Sequence, residues 1–181
     1  TATAMAATDN LVVFGSSSTK AVIKGNGDFV TQGGVRLGGG TDLLDAYEEG
    51  TWTPTVQDST FSDAEGQTYT TQVGSYTRIG RKVFCEGYIV MTSLGTLTTS
   101  QQARISGLPF TNGSATFAGS LTAGFATGLS ITASVSVNGY LSSGASSVLL
   151  SQWNATTGTS ALLISAMTNT FELLFTVTYE V

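Results

Sequence analysis

The chain has one place where carboxylates gather within reach of an enzyme's purposes. Glu48 and Glu49 stand side by side in "YEEGTWTPTV", and Asp58, Asp63 and Glu65 follow in a Ser/Gly-rich loop. A pair of carboxylates can split acid and base roles around a glycosidic bond, provided the two face one another. Adjacent residues do not: on a helix or a strand Glu48 and Glu49 point in different directions. A catalytic pair would therefore need a partner from elsewhere, and solvated surface is the simpler reading. The other usual players are missing. There is no histidine, which removes Ser-His and Cys-His nucleophiles and the common zinc sets. Asp42, Asp45, Asp63 and Glu65 offer hard oxygen ligands without calcium-loop spacing, so no metal is expected. No cofactor is expected either, because there is no GxGxxG, no phosphate loop and no GxSxG. No catalytic residue is assigned.

Composition points away from several partners. Net charge is −5 and the pI about 4.4, so nucleic acid is not an expected partner. Only 10% of residues are charged, against roughly 25% in an ordinary soluble protein. A monomer of this mass would expose roughly 8,000 Å², or one charge per roughly 400 Å². So sparse a surface favours a chain that buries much of itself against copies. Between Arg104 and Glu172 there is no Asp, Glu, Lys or Arg. Ser, Thr, Asn and Gly break every apolar run there, so membrane insertion is not expected. A first residue other than Met points to a piece of a longer protein. The single Cys85 reads as a small buried hydrophobe.

The uncharged window holds the residue types that bind neutral sugars: aromatic faces, amides and hydroxyls. Trp153 and Tyr140, with Asn138, Asn154 and Gln152, are the candidate glycan-binding residues. Trp153 could equally be an anchor in a core or an interface. Trp52 reads as core. Arg78, Arg81 and Lys82 flank Gly80 at an expected hairpin corner. Their charges could face water, pair with Glu48 and Glu49 of the same or a neighbouring chain, or meet an anionic glycan.

The elements that must position these residues are almost all strands. Short β-rich runs are broken by Gly, Asn and Ser along the whole chain. Asn138-Gly139 and Asn112-Gly113 carry hairpin-turn chemistry. "LSITASVSV" alternates, placing Leu129, Ile131, Ala133, Val135 and Val137 on one face of a single strand. "TDLLDAYEEG" is the one credible helix, of one or two turns, with Gly50 as its stop. The expected fold class is all-β: a jelly-roll-like β-sandwich tip preceded by a short intertwined trimeric β shaft and a helical hinge. Its expected limits are a shaft over 1–40, a hinge over 41–50 and a tip domain over 51–181.

"YEEGTWTPTV", then "VGSYTRIGRKVFCEGYIV", then "ISGLPF" resembles the C-terminal domain of bacteriophage and prophage tail fibres and tailspikes. The likeness covers residues 44 to 110, with only a similar style beyond. It implies a homotrimeric, extracellular virion protein whose β tip faces the host. The expected function is then attachment to a bacterial surface polysaccharide or lipopolysaccharide, without catalysis. The alternatives are a trimerising cap that touches no receptor, and a glycan depolymerase with carboxylates shared between subunits.

Overall fold

The computed structural model describes residues 10–14, 21–31, 35, 36, 43, 44, 46–60, 65–113 and 119–181. Asp42, Asp45 and Asp63 lie outside them. The chain divides into two compact units, Thr1–Tyr47 and Glu48–Val181.

In the first unit β1 (Asn10–Phe14), β2 (Ala21–Lys24) and β3 (Phe29–Thr31) form an antiparallel sheet in that order. The β2–β3 turn shows why its sequence is "GNGD". Gly27 sits at a φ of +91°, which only glycine adopts at no steric cost. Asn26 closes the turn, accepting from the Asp28 backbone N–H at 3.1 Å and donating to the Asp28 carboxylate at 2.7 Å. Two further short strands, β4 (Val35–Arg36) and β5 (Leu43–Leu44), pair with each other.

The second unit is one continuous ten-stranded sheet. Its strands are β6 (Tyr47–Trp52), β7 (Thr55–Gln57), β8 (Thr68–Ile79), β9 (Lys82–Ser93), β10 (Arg104–Ser106), β11 (Ser120–Leu129), β12 (Ser136–Tyr140), β13 (Val148–Asn154), β14 (Gly158–Ala161) and β15 (Met167–Glu180). Their order is β6-β8-β9-β15-β11-β12-β13-β10-β7, with β14 beside β13. The two ends of that order, β6 and β7, are joined by just Thr53 and Pro54. The sheet is therefore curled, and its inner face makes a single core. Val83, Cys85, Ile89 and Met91 of β9 alternate into it, as do Phe171, Leu173, Phe175, Val177 and Tyr179 of β15. The all-β expectation is met. The two facing sheets of a sandwich are not what the pairing draws, since all ten strands belong to one hydrogen-bonded sheet.

Several local expectations give way to tertiary context. The helix over 41–50 is replaced, in its described residues, by strands at Leu43–Leu44 and from Tyr47 on. Pairing of β6 with β8 supplies the backbone partners a two-turn helix would need. Gly50 is not a helix stop: a Cβ there would fall 2.7 Å from the Tyr76 ring. Asn138-Gly139 lies inside β12 rather than at a turn. Gly139 is there because a Cβ would meet the Leu149 carbonyl and Val148 Cγ1, each at 2.8 Å. The chain turns earlier, at Ala133–Ser134, where Ser134 takes a φ of +68°. "LSITASVSV" is thus the end of β11, a turn and the start of β12, not one strand.

Trp52 is core, as expected, and locks the sheet. Its indole N–H donates to the Glu86 and Ser75 carbonyls at 3.0 and 3.2 Å, and its ring meets Phe175 edge-on at 6.1 Å. It lies over Gly74 as Phe175 lies over Gly87, and the two glycines face each other across β8 and β9. Cys85 is 1% exposed, and burial pushes its thiol up to about 12. It is expected to stay unmodified by a maleimide at pH 8 and to react fully in denaturant, measured by mass spectrometry.

Candidate functional site

The five candidate glycan residues all fall on β12 and β13, which pair from Ser136↔Trp153 to Tyr140↔Leu149. Alternation divides them between two faces. Tyr140, Asn138 and Trp153 look outward from the curled sheet. The rings are 41% and 47% exposed for Tyr140 and Trp153. Their rows lie four residues apart along the strands, or about 14 Å. Asn138 lies between them and accepts a 2.7 Å hydrogen bond from the Ser151 hydroxyl. Gln152 and Asn154 have the opposite parity. They line a separate groove of about 420 Å³ with the Thr132–Val135 turn. Asn154 closes the β13–β14 turn, its side-chain carbonyl accepting the Thr156 and Thr157 N–H groups at 2.9 and 2.7 Å. The structure therefore brings three of the five together and sets two apart.

The outward face continues into residues that sequence reasoning missed. The row Tyr140–Leu149–Arg104–Gln57 runs across β12, β13, β10 and β7 in direct register. Beside it a groove of about 510 Å³ is bordered by Thr55, Gln57, Ser106, Ser146 and Ser147. A smaller one of about 330 Å³, sharing the two serines, reaches Arg104. Ser106 donates to the Gln57 side-chain carbonyl. Arg104 is 5% exposed; burial lowers its pKa, opposed by the Asp58 carboxylate. Nothing in the spacing of residues 55, 104 and 146 links them, because each comes from a strand or loop about 45 positions from the next. The only available signal was that Arg104 is the last base before the uncharged window.

The carboxylates behave as structure. Asp58 is fully buried at the end of β7. Burial alone would raise its pKa. Donors from Thr60 and the Thr98 backbone N–H, the latter at 2.7 Å, outweigh that and hold it at about 2. Glu65 is raised by burial and by the nearby Asp58 charge. Glu48 accepts from the Tyr76 hydroxyl at 2.6 Å. The basic cluster is the hairpin corner expected, with Gly80 at a φ of +57°. Within one chain its charges go elsewhere than Glu48 and Glu49. Arg81 and Lys82 pair with Glu180 at 3.1 and 2.8 Å, and Arg78 stacks over the Phe110 ring at 5.2 Å. Position decides this: Glu180 lies opposite Lys82 on the neighbouring strand. Among the described residues no group of three His, Cys, Asp or Glu side chains could hold a metal ion. No helix among them is long and apolar enough to cross a membrane.

This curled all-β arrangement is similar in fold to part of a phage tailspike. The similar structure is the crystal structure of the Dettilon tailspike protein, with a TM-score of 0.61 at 12% sequence identity. The match covers 74% of this chain and 24% of that one, so it spans about a quarter of the tailspike. No protein-family model matches the chain. No curated protein sequence matches it either.

Proposed function

We propose that the chain is the tip of a homotrimeric phage tail fibre or tailspike, attaching the particle to a bacterial surface polysaccharide or lipopolysaccharide without cleaving it. The observation that carries the reading is the outward face of β12 and β13. Two half-exposed aromatic rings, Tyr140 and Trp153, stand on a surface of amides and hydroxyls inside a stretch with no charged residue. Aromatic faces stack on the apolar faces of sugar rings, and neutral amides and hydroxyls match sugar hydroxyls. Each site would be weak, and several on one particle would raise the overall affinity by avidity.

The test is binding of the full chain to host cells and to purified lipopolysaccharide. Tyr140→Ala and Trp153→Ala are expected to lower binding at least tenfold each, with the solution mass unchanged. Full binding by the double variant would remove this face from the account. Loss of the trimer with both rings gone would favour the cap that assembles the fibre and touches no sugar. Reducing-end release from host polysaccharide would favour the depolymerase.

A further inference from the structure

The opposite side of the curled sheet has a different chemistry. Along β8, β9, β15 and β11 the outward residues fall into rows fixed by strand register. One row is Val73–Tyr88–Leu174–Phe125. Val73, Leu174 and Phe125 are 56%, 48% and 48% exposed. Two rows away Phe84 is 47% exposed, beside Thr77 and Thr178, and Ile79 beyond it is 45% exposed. Between them runs Ser75–Glu86–Thr176–Thr122.

Phe125 faces outward for a structural reason. Ala123 pairs with Phe175 and points inward, yet Phe125 pairs with Leu174, one residue on rather than two. The intervening bulge at Gly124 reverses parity, and a one-residue shift sends a side chain to the other face. Without it Phe125 would enter the core. The fold thus places a large aromatic in water to complete an apolar row.

We infer that this face, the outer surface of β8, β9, β15 and β11, is the surface by which one copy of the chain packs on the next. The inference rests on the homotrimeric reading and says where the contact lies. Four strands about 4.8 Å apart and about ten residues long cover roughly 650 Å² in projection. Side-chain relief brings the accessible area near the roughly 800 Å² per partner of a stable interface. A second copy fits better than a partner chosen by charge, because most ions here are already satisfied within the chain. Lys82 pairs with Glu180, and Glu172 accepts from the Tyr88 and Thr127 hydroxyls. The face carries two rows of exposed apolar side chains, with a Ser/Thr row and the Glu86 carboxylate running between them. Apolar area on this scale matches an interface between copies rather than a surface steered by opposite charge.

The experiment is thiol labelling in the full chain, where buried Cys85 stays silent. Leu174→Cys and Thr176→Cys probe the face, and Ser136→Cys, exposed on β12, is the control. Light scattering of the unaltered chain comes first, with three times 18.6 kDa expected. In that trimer both face thiols are expected to react with a maleimide at least tenfold more slowly than the control. A trimer whose face thiols react as fast as the control overturns the location and leaves the homotrimer standing. A monomeric unaltered chain overturns both. If Leu174→Cys prevents folding by circular dichroism, the smaller change at Thr176 decides the matter alone.

Discussion

Replacing Gly87 by alanine is expected to destabilise the fold by about 3 kcal/mol, or roughly a hundredfold in the folding equilibrium. The added Cβ would lie 2.3 Å from Phe175 Cζ, well inside any real contact distance. Relief by moving Phe175 is costly. Its ring is 2% exposed and lies edge-on to Trp52, whose N–H is held by two carbonyls. Gly74→Ala meets Trp52 Nε1 at 2.4 Å and should cost a similar amount. The two glycines are opposite one another, so the double variant should cost less than the sum of the two single ones. Urea denaturation of the three variants measures this. A loss below 0.5 kcal/mol at Gly87 would mean that the aromatic pair is not wedged as described.

Asp58→Ala is expected to cost about 3 kcal/mol for a different reason. It leaves the Thr98 and Thr60 backbone N–H groups, now held at 2.7 Å each, without their acceptor. It also leaves the nearby Arg104 charge without that carboxylate. The pH dependence follows from the depressed folded value of about 2 against the ordinary aspartate value of 3.8. The carboxylate contributes fully above the unfolded value. Its contribution is lost as pH falls from about 4 through about 2. Comparing denaturation midpoints at pH 6 and pH 2.5 should show the unaltered chain losing part of its advantage over Asp58→Ala. A constant gap between the two proteins would show that the charge plays no part.

How much of this was legible in the residues depends on the range of the cause. A turn set by local chemistry was readable: the Gly80 corner formed where the sequence placed it. Alternation alone was not a sufficient guide, since "LSITASVSV" alternates straight through the turn at Ala133–Ser134. Gly50 and Gly139 misled, because each is small to admit a neighbour distant in sequence, Tyr76 in one case and Val148 with Leu149 in the other. Residue type alone cannot distinguish a glycine that turns the chain from one that makes room. The glycan candidates were read as a set because they are close in sequence, but period-two alternation splits Gln152 and Asn154 from Trp153. The groove around Gln57, Ser106 and Ser147 depends on pairing between distant strands and was out of reach. So was the exposed row, since Phe125 faces water only through a bulge.

The place of β15 in the strand order sets a timetable for making the protein. It is the last strand of the domain in sequence, yet it sits in the middle of the sheet between β9 and β11. A growing chain can assemble β6-β8-β9 on one side and β11-β12-β13-β10-β7 on the other. The two halves have no common seam until residues 167 to 180 have left the ribosome. Until then each half keeps an open edge with unpaired N–H and C=O groups. Folding of this domain is therefore gated by synthesis of its final strand, and a message cut short before Glu180 yields two sticky half-sheets rather than a slightly smaller domain.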